Sequence, residues 1–205
     1  DGNGGANYAV NLVDAAGTIS PAVLDVYTTS DSKVYDGTPD SAQAPTFNGT
    51  LFGTDTLTNL EQAFDSRDAG TRSLLLSNYD VNDGNGGANY QVLPHPAAGA
   101  ISPRQLTITA SGIDKRFDNT TTAIVTLSDD RLPGDFFTIN YGSANFARKM
   151  VGTWPVTVLG LSVSGAHAGN YAPNSTATTS ASITIGLTEG SIPGTDEPMR
   201  DAMAA

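Results

Sequence analysis

Leu106, Ile108 and Ala110 alternate with Gln105, Thr107 and Thr109, and Phe137, Ile139 and Tyr141 alternate with Thr138 and Asn140. A period of two puts every second side chain on one face, which predicts strands with one face buried. Farther along each half of the chain the apolar phase slips. Leu74 and Leu76 are followed by Tyr79 and Val81, and Val156 and Val158 by Leu159, Leu161 and Val163, so a bulge or bend is expected at the same place in both halves. Asp36-Gly37 and Asp118-Asn119 supply turns, because Gly and Asn enter left-handed backbone most cheaply. The strong helix formers Glu and Lys occur only at Glu61, Glu189, Glu197, Lys33, Lys115 and Lys149, whereas Thr, Val, Ile, Tyr and Phe are plentiful. The pattern predicts an all-β chain with no more than a turn or two of helix.

The pattern also repeats. Residues 1–8, DGNGGANY, recur as residues 83–90, and Gly17-Thr18-Ile19-Ser20-Pro21 returns as Gly99-Ala100-Ile101-Ser102-Pro103, at an offset of 82 residues. The same offset maps Lys33-Val34-Tyr35-Asp36-Gly37-Thr38 onto Lys115-Arg116-Phe117-Asp118-Asn119-Thr120, and Phe64 onto Phe146. One residue is lost where Gly87-Ala88-Asn89-Tyr90 becomes Ala168-Gly169-Asn170-Tyr171, and is regained before Ile183. The chain therefore reads as the tail of a preceding repeat (1–21), a complete repeat (22–103), a second, diverged repeat (104–187) and an acidic linker (188–205). Each repeat should hold five to seven strands in a small β-sandwich or β-grasp-like domain, with a stiff Ser-Pro joint to the next in an elongated array. Segment 1–21 duplicates the closing strands of a repeat, and must either stay unpaired or find a sheet edge, including one on another molecule.

Charge narrows the function. The net charge of -11 argues against nucleic-acid binding, which needs a basic face. It is uneven: residues 22–103 carry -7 and residues 104–187 carry +1. Cysteine is absent, which removes disulfides and thiolate metal sites. No apolar run approaches the roughly 18 residues of a membrane span, and the first residues do not read as a signal peptide. The chain is expected to be cut from something longer.

The motifs Lys33-Val34-Tyr35-Asp36-Gly37-Thr38, Asn82-Asp83-Gly84-Asn85-Gly86-Gly87-Ala88-Asn89-Tyr90, Ser164-Gly165-Ala166-His167-Ala168-Gly169-Asn170-Tyr171 and the Ile-Ser-Pro closures resemble the YDG and MBG repeat domains of bacterial filamentous-haemagglutinin-like adhesins. The likeness covers nearly the whole chain. The second repeat departs from it in having Phe117-Asp118-Asn119 for Tyr-Asp-Gly and Ile183-Thr184-Ile185-Gly186 for Ile-Ser-Pro, so it reads as MBG-like. The resemblance implies a non-enzymatic stalk or binding array of a large surface or secreted adhesin with a role in adhesion or biofilm matrix. It also implies an extracellular or cell-surface location, an outer-membrane transporter for two-partner secretion, and exopolysaccharide or other adhesin molecules as partners.

The residues themselves offer few sites. No nucleophile, base and orienter come together, so no catalytic residue and no cofactor are expected. Lys33/Tyr35/Asp36 and Lys115/Phe117/Asp118 read as an aromatic core plug beside an Asx turn. A buried Lys beside Asp or Asn also admits an intramolecular isopeptide bond, although no Glu lies near either Lys in sequence. Asp80, Asp83 and Asn85 look like an oxygen-rich calcium loop, but the distal carboxylate is missing and a Gly-rich turn is the simpler reading. His95 and His167 fall at non-equivalent places. Asp129/Asp130 read as solvated charge in a turn. The alternative function is a polysaccharide-binding module, in which Trp154 and Tyr141 with the cations Arg148, Lys149, Lys115 and Arg116 of the less acidic repeat grip a glycan.

Overall fold

The computed structural model describes residues 2–185, so the proposed linker 188–205 lies outside the described residues. The chain divides into two compact units, residues 1–102 and 103–205. In the first unit, β1 (Ala22–Tyr27) lies between β3 (Thr46–Asn48) and β6 (Tyr90–His95), antiparallel to one and parallel to the other. The second sheet runs β2 (Ser32–Val34), β7 (Ala97–Ser102), β5 (Gly70–Asn82), β4 (Thr56–Phe64). Leu24 and Val26 from the first sheet and Phe64, Leu74 and Ile101 from the second are buried, while the intervening residues face outward. Alternation thus places one apolar face of each sheet in a shared core, a two-layer sandwich. Tyr35, just past β2, is also buried in it.

The second unit repeats this plan with interrupted strands. The sheet β10 (Lys115–Arg116), β17 (Thr176–Thr184), β14 (Gly152–Leu159), β13 (Ser143–Phe146) follows the order of β2, β7, β5, β4. The other layer is split: β8 (Arg104–Leu106) pairs with β16 (Tyr171–Pro173), and β9 (Ile108–Ile113) with β11 (Ile124–Asp129). β12 (Thr138–Asn140) and β15 (Ser162–Ser164) form the outer end of the long hairpin. Its pairing Thr138↔Ser164 corresponds to Thr56↔Asn82 in the first unit. The strand breaks have local causes. Asp130 Oδ1 takes the Thr107 N–H between β8 and β9 at 2.8 Å. Beyond β16 the Asn174 side chain does the work of a strand residue, accepting the Ile108 N–H at 2.6 Å and donating to the Ile108 carbonyl at 3.0 Å. The expected phase slip is present in both units. In the first it is a register shift around Asn59, which has positive φ; in the second it is a break at Gly142 and Gly160. The only helical element among the described residues is a 3₁₀ turn, Ala168–Asn170.

Three expectations need correction. Among the described residues the second unit has ten short strands, not five to seven, because of these breaks. Phe117 is no core plug: it is 50% exposed where its counterpart Tyr35 is 1% exposed, although both residues donate the same backbone hydrogen bond to the neighbouring strand. Asp129 is not solvated charge, for its side chain is nearly buried in a two-point ion pair with Arg131, Nε to Oδ1 at 2.8 Å and Nη2 to Oδ2 at 2.6 Å. Residues 2–21 form no strand and are exposed throughout.

Candidate functional site

The most complete polar constellation is the one that occurs twice. Lys33 Nζ donates to both Asp36 carboxylate oxygens at 2.9 and 3.1 Å, to the Thr38 carbonyl at 2.8 Å and to Thr38 Oγ1 at 3.1 Å. Lys115 Nζ does the same with Asp118 Oδ1 at 2.9 Å, the Thr120 carbonyl at 3.0 Å and Thr120 Oγ1 at 2.9 Å, and adds the Thr122 carbonyl at 2.8 Å. In each unit the ammonium also stands over the phenylalanine that ends the edge strand, 5.6 Å from the Phe64 ring centre and 5.4 Å from that of Phe146. The acid in turn takes the N–H and hydroxyl of the threonine two residues on. Left-handed backbone at Gly37 (φ 84°) and Asn119 (φ 61°) brings that threonine back to it. The arrangement is a knot that closes the loop after β2 or β10 and ties it to the sheet.

Its electrostatics favour an ion pair over a crosslink. The Lys115 ammonium and the Thr120 N–H and hydroxyl hold the Asp118 carboxyl down to about 2. At Asp36 burial pushes the carboxyl up, but Lys33 and Thr38 outweigh it and keep it below the ordinary value. An isopeptide bond needs a neutral acid, and this setting favours the ionised carboxylate of Asp36 and of Asp118. Thr38, Thr120, Phe64 and Phe146 join the knot through contacts that their own sequence positions do not announce. A signal for the threonines is nonetheless there, since Lys-x-x-Asp-x-Thr recurs at the repeat offset.

A second duplicated device anchors the Asn-Tyr motif. Tyr90 Oη donates to Asp55 at 2.7 Å and accepts the Phe52 N–H at 2.8 Å. Tyr171 Oη donates to Asp135 at 2.6 Å and accepts the Leu132 N–H at 2.9 Å. Burial pushes both phenols up, and the neighbouring carboxylate adds to it. In the second unit the lock is more elaborate, with His167 Nδ1 accepting the Phe136 N–H at 2.9 Å and Arg131 stacked 3.7 Å over the Phe137 ring. His95, by contrast, pairs with Asp25 at 2.7 Å and stacks on Tyr27 on the outer face of the first unit.

The calcium-like loop is organised in the opposite sense to a cation site. The Asp83 carboxylate accepts the backbone N–H groups of Asn85, Gly87 and Asn89 at 2.8 to 2.9 Å, and these donors, Asn89 foremost, hold it below the ordinary carboxylate value. Asp80 is engaged by the Asn59 side chain, and the Asn85 side-chain amide donates to Asn89. Asp80 lies in β5 and only Asp83 and Asn85 in the loop, and the carboxylates turn their oxygens to different internal donors.

The glycan-binding candidates are not brought to one place. Trp154 lies near the start of β14 and its indole N–H closes the preceding loop onto the Met150 carbonyl at 2.6 Å. Arg72 makes the matching bond to the Asp68 carbonyl at 2.6 Å in the first unit, so an indole and a guanidinium serve one structural role at equivalent positions. Arg148 stands 5.1 Å from the Trp154 ring, and Lys149 beside it is exposed. Tyr141 sits at the other end of the sheet, next to the Gly142 that donates to the Leu159 carbonyl. Five residues of strand, about 17 Å, separate the two ends. Lys115 is spent in its knot, while Arg116 is exposed. Among the described residues no three acidic or histidine side chains cluster as metal ligands.

No curated protein and no solved structure matches the chain. The YDG domain model matches it twice, over residues 20–98 and 102–181, each match beginning beside a Ser-Pro and ending within the last strand of its unit. The twice-built knot at Tyr35-Asp36-Gly37 and Phe117-Asp118-Asn119 sits in both matched segments, and the chain belongs to the YDG domain family.

Proposed function

We propose that these two repeats are a non-catalytic stretch of a large bacterial surface or secreted adhesin, a spacer that adds reach and contact area in cell adhesion or biofilm matrix. The observation that carries this reading is how the charged and polar groups are used. The Lys-Asp-Thr knot, the Tyr-Asp lock and the Asp83 turn all spend their hydrogen bonds on holding loops, and two of the three devices recur in the next repeat. Repetition with local divergence suits a modular stalk. On this reading the parent protein is exported through an outer-membrane transporter of the two-partner type, works outside the cell, and meets exopolysaccharide or other copies of itself.

A polysaccharide-binding role is the second reading, favoured by the exposed Arg148 standing over the Trp154 ring, with the exposed Lys149 next to it in sequence. One comparison tests both. A non-adherent bacterium displaying the chain should gain cell-cell adhesion over one displaying none, and the purified chain should bind a glycan array no better than its Arg148→Ala/Lys149→Ala variant. Glycan binding lost in that variant would move the conclusion to the second reading. Neither adhesion nor glycan binding would remove both.

A further inference from the structure

In the second unit the loop before β12 and the turn before β16 are joined by a reciprocal pair of bonds. The His167 backbone N–H donates to the Phe136 carbonyl at 3.3 Å, and the Phe136 N–H donates to His167 Nδ1 at 2.9 Å. A ring nitrogen that accepts an N–H carries no proton of its own, so the second bond exists only while the imidazole is neutral. The same Nδ1 lies 3.6 Å from Asp135 Oδ1, just beyond hydrogen-bond reach. Asp135 is buried, and its Oδ2 accepts the Tyr171 hydroxyl at 2.6 Å. One ring atom therefore faces a donor and an acceptor at once, and its proton decides which of the two it serves.

The surroundings set the competition. Asp135 favours a positive ring, and Tyr171 stands behind it as a phenol pushed up by burial. Two cations act on the same pair and oppose a further positive charge: Arg131, itself tied to Asp129, on Asp135 and Tyr171, and Arg104 of β8 on Tyr171. The Phe136 side chain, 71% exposed, tilts against the imidazole with ring centres 6.3 Å apart. The first unit has Gly86 at the place of His167, and its Tyr90-Asp55 lock holds the Phe52 N–H with no histidine.

We propose that His167 is an acid-operated latch on the second repeat, passing from the Phe136 N–H to the Asp135 carboxylate when its ring is protonated and so releasing Phe136. A proton on Nδ1 points where the Phe136 N–H already points, and two donors cannot share that bond. The new N–H turns to Asp135 and closes the 3.6 Å gap to the roughly 2.8 Å of a charge-assisted bond. Tyr171 keeps its hold on Oδ2, so the lock survives while an exposed aromatic residue is let go. Imidazole is the side chain that ordinarily changes charge between about pH 5 and 8, the range in which such a device works. The inference needs only the second unit and is independent of any adhesive role.

The test is an NMR titration of the full chain from pH 8 to 5, with amide protection corrected for the intrinsic pH dependence of exchange. Protection at Phe136 should fall severalfold, with the midpoint of the His167 ring signals and not that of His95, which pairs with Asp25 in the first unit. Phe52, bonded to the equivalent lock, should keep its protection. In His167→Asn the side-chain oxygen takes the place of Nδ1 as an acceptor without titrating, and protection at Phe136 should stay level. Constant protection at Phe136 in the native chain, a His167 ring that stays neutral to pH 5, or a fall shared by Phe52 would each overturn the proposal. So would a fall that persists in His167→Asn. The native titration decides the matter even where the variant does not fold.

Discussion

In the second repeat β11 pairs with β9 along all six of its residues, whereas in the first β3 pairs with β1 along only three. Pro45 stands where the second repeat has Leu127, and it brings no N–H to a strand. The backbone of Thr29, left without that neighbour, is met by a side chain instead. Gln62 accepts the Thr29 N–H and donates to the Thr29 carbonyl, both at 2.7 Å, and donates to Ser41 Oγ at 2.9 Å. Ser41 in turn donates to Asp31 at 2.7 Å. The second repeat has Ala144, Ala123 and Ile113 at the places of Gln62, Ser41 and Asp31, with Ser111 at that of Thr29, so that the polar partners of the first repeat give way to apolar residues where the hairpin is intact. Paired backbone is required in both; whether strand or side chain supplies the pairing is free to vary.

The same freedom governs volume. A Cβ on Gly99 would come within 2.2 Å of Leu74 and 2.8 Å of Phe64, and a Cβ on Gly112 within 2.8 Å of Ala181. The first repeat has Ser30 with Gly99, and the second has Gly112 with Ala181. Each repeat keeps one glycine in this pair of positions, on β7 in the first and on β9 in the second, as close packing demands.

The sharpest way to break the equivalence is at Tyr35 and Phe117. Tyr35→Ala should destabilise the first unit by about 3–5 kcal/mol, the cost of emptying a buried aromatic site. Phe117→Ala, at the matching position, should change the second unit by less than about 1 kcal/mol. Urea unfolding separates the two, with Trp154, the single tryptophan, reporting the second unit and amide exchange reporting the first. Similar losses from both substitutions would mean that the repeats share one core plan after all.

Sequence made the strands, the repeat and the left-handed turns readable because each is local: a period of two, an offset, an Asp-Gly or Asp-Asn pair. It also exposed the phase slip, since Leu74, Leu76, Tyr79 and Val81 cannot share one face of a regular strand. What it hid depends on contacts between distant residues. Phe117 matches Tyr35 in type and place, and nothing adjacent to it marks the loss of its pocket. Asp129 looks like surface charge until Arg131 folds back onto it. Gln62 reads as an outward polar residue, and only the missing strand neighbour of Thr29, thirty-three residues away, explains its burial.

Gln62 supplies the next test. Gln62→Ala should cost the first unit about 2 kcal/mol by leaving the Thr29 N–H and carbonyl without partners. The reciprocal Ala144→Gln should cost the second unit about 1–3 kcal/mol through overpacking, since Ser111 already has a strand partner there. Both are read as shifts in urea midpoint at constant slope. A neutral Gln62→Ala would show that water satisfies Thr29 as well as the amide does.

The smallest expected difference lies in the two knots and is one of pH. Asp118 is held at about 2 by Lys115 and Thr120, below the 3.8 of an unperturbed aspartate. A depressed folded value means that its contribution to stability is complete above about pH 3.8 and is lost as the pH falls through about 2. Asp36 is lowered against a burial effect that leads among its influences, whereas at Asp118 the Lys115 hydrogen bond leads. On acidification the carboxyl of Asp36 should therefore take up its proton before that of Asp118, with both below the range of exposed aspartates. Carbon-detected NMR of the side-chain carboxyls gives the order directly. Replacing Lys115 by Met should move Asp118 up toward the ordinary value and leave Asp36 where it was, because among the described residues each ammonium forms its ion pair with the acid three residues beyond it. If Asp118 stayed near 2 without Lys115, the Thr120 N–H and hydroxyl would be holding the carboxylate alone, and the lysine would be left with the role of tying the loop to Thr122 and Phe146.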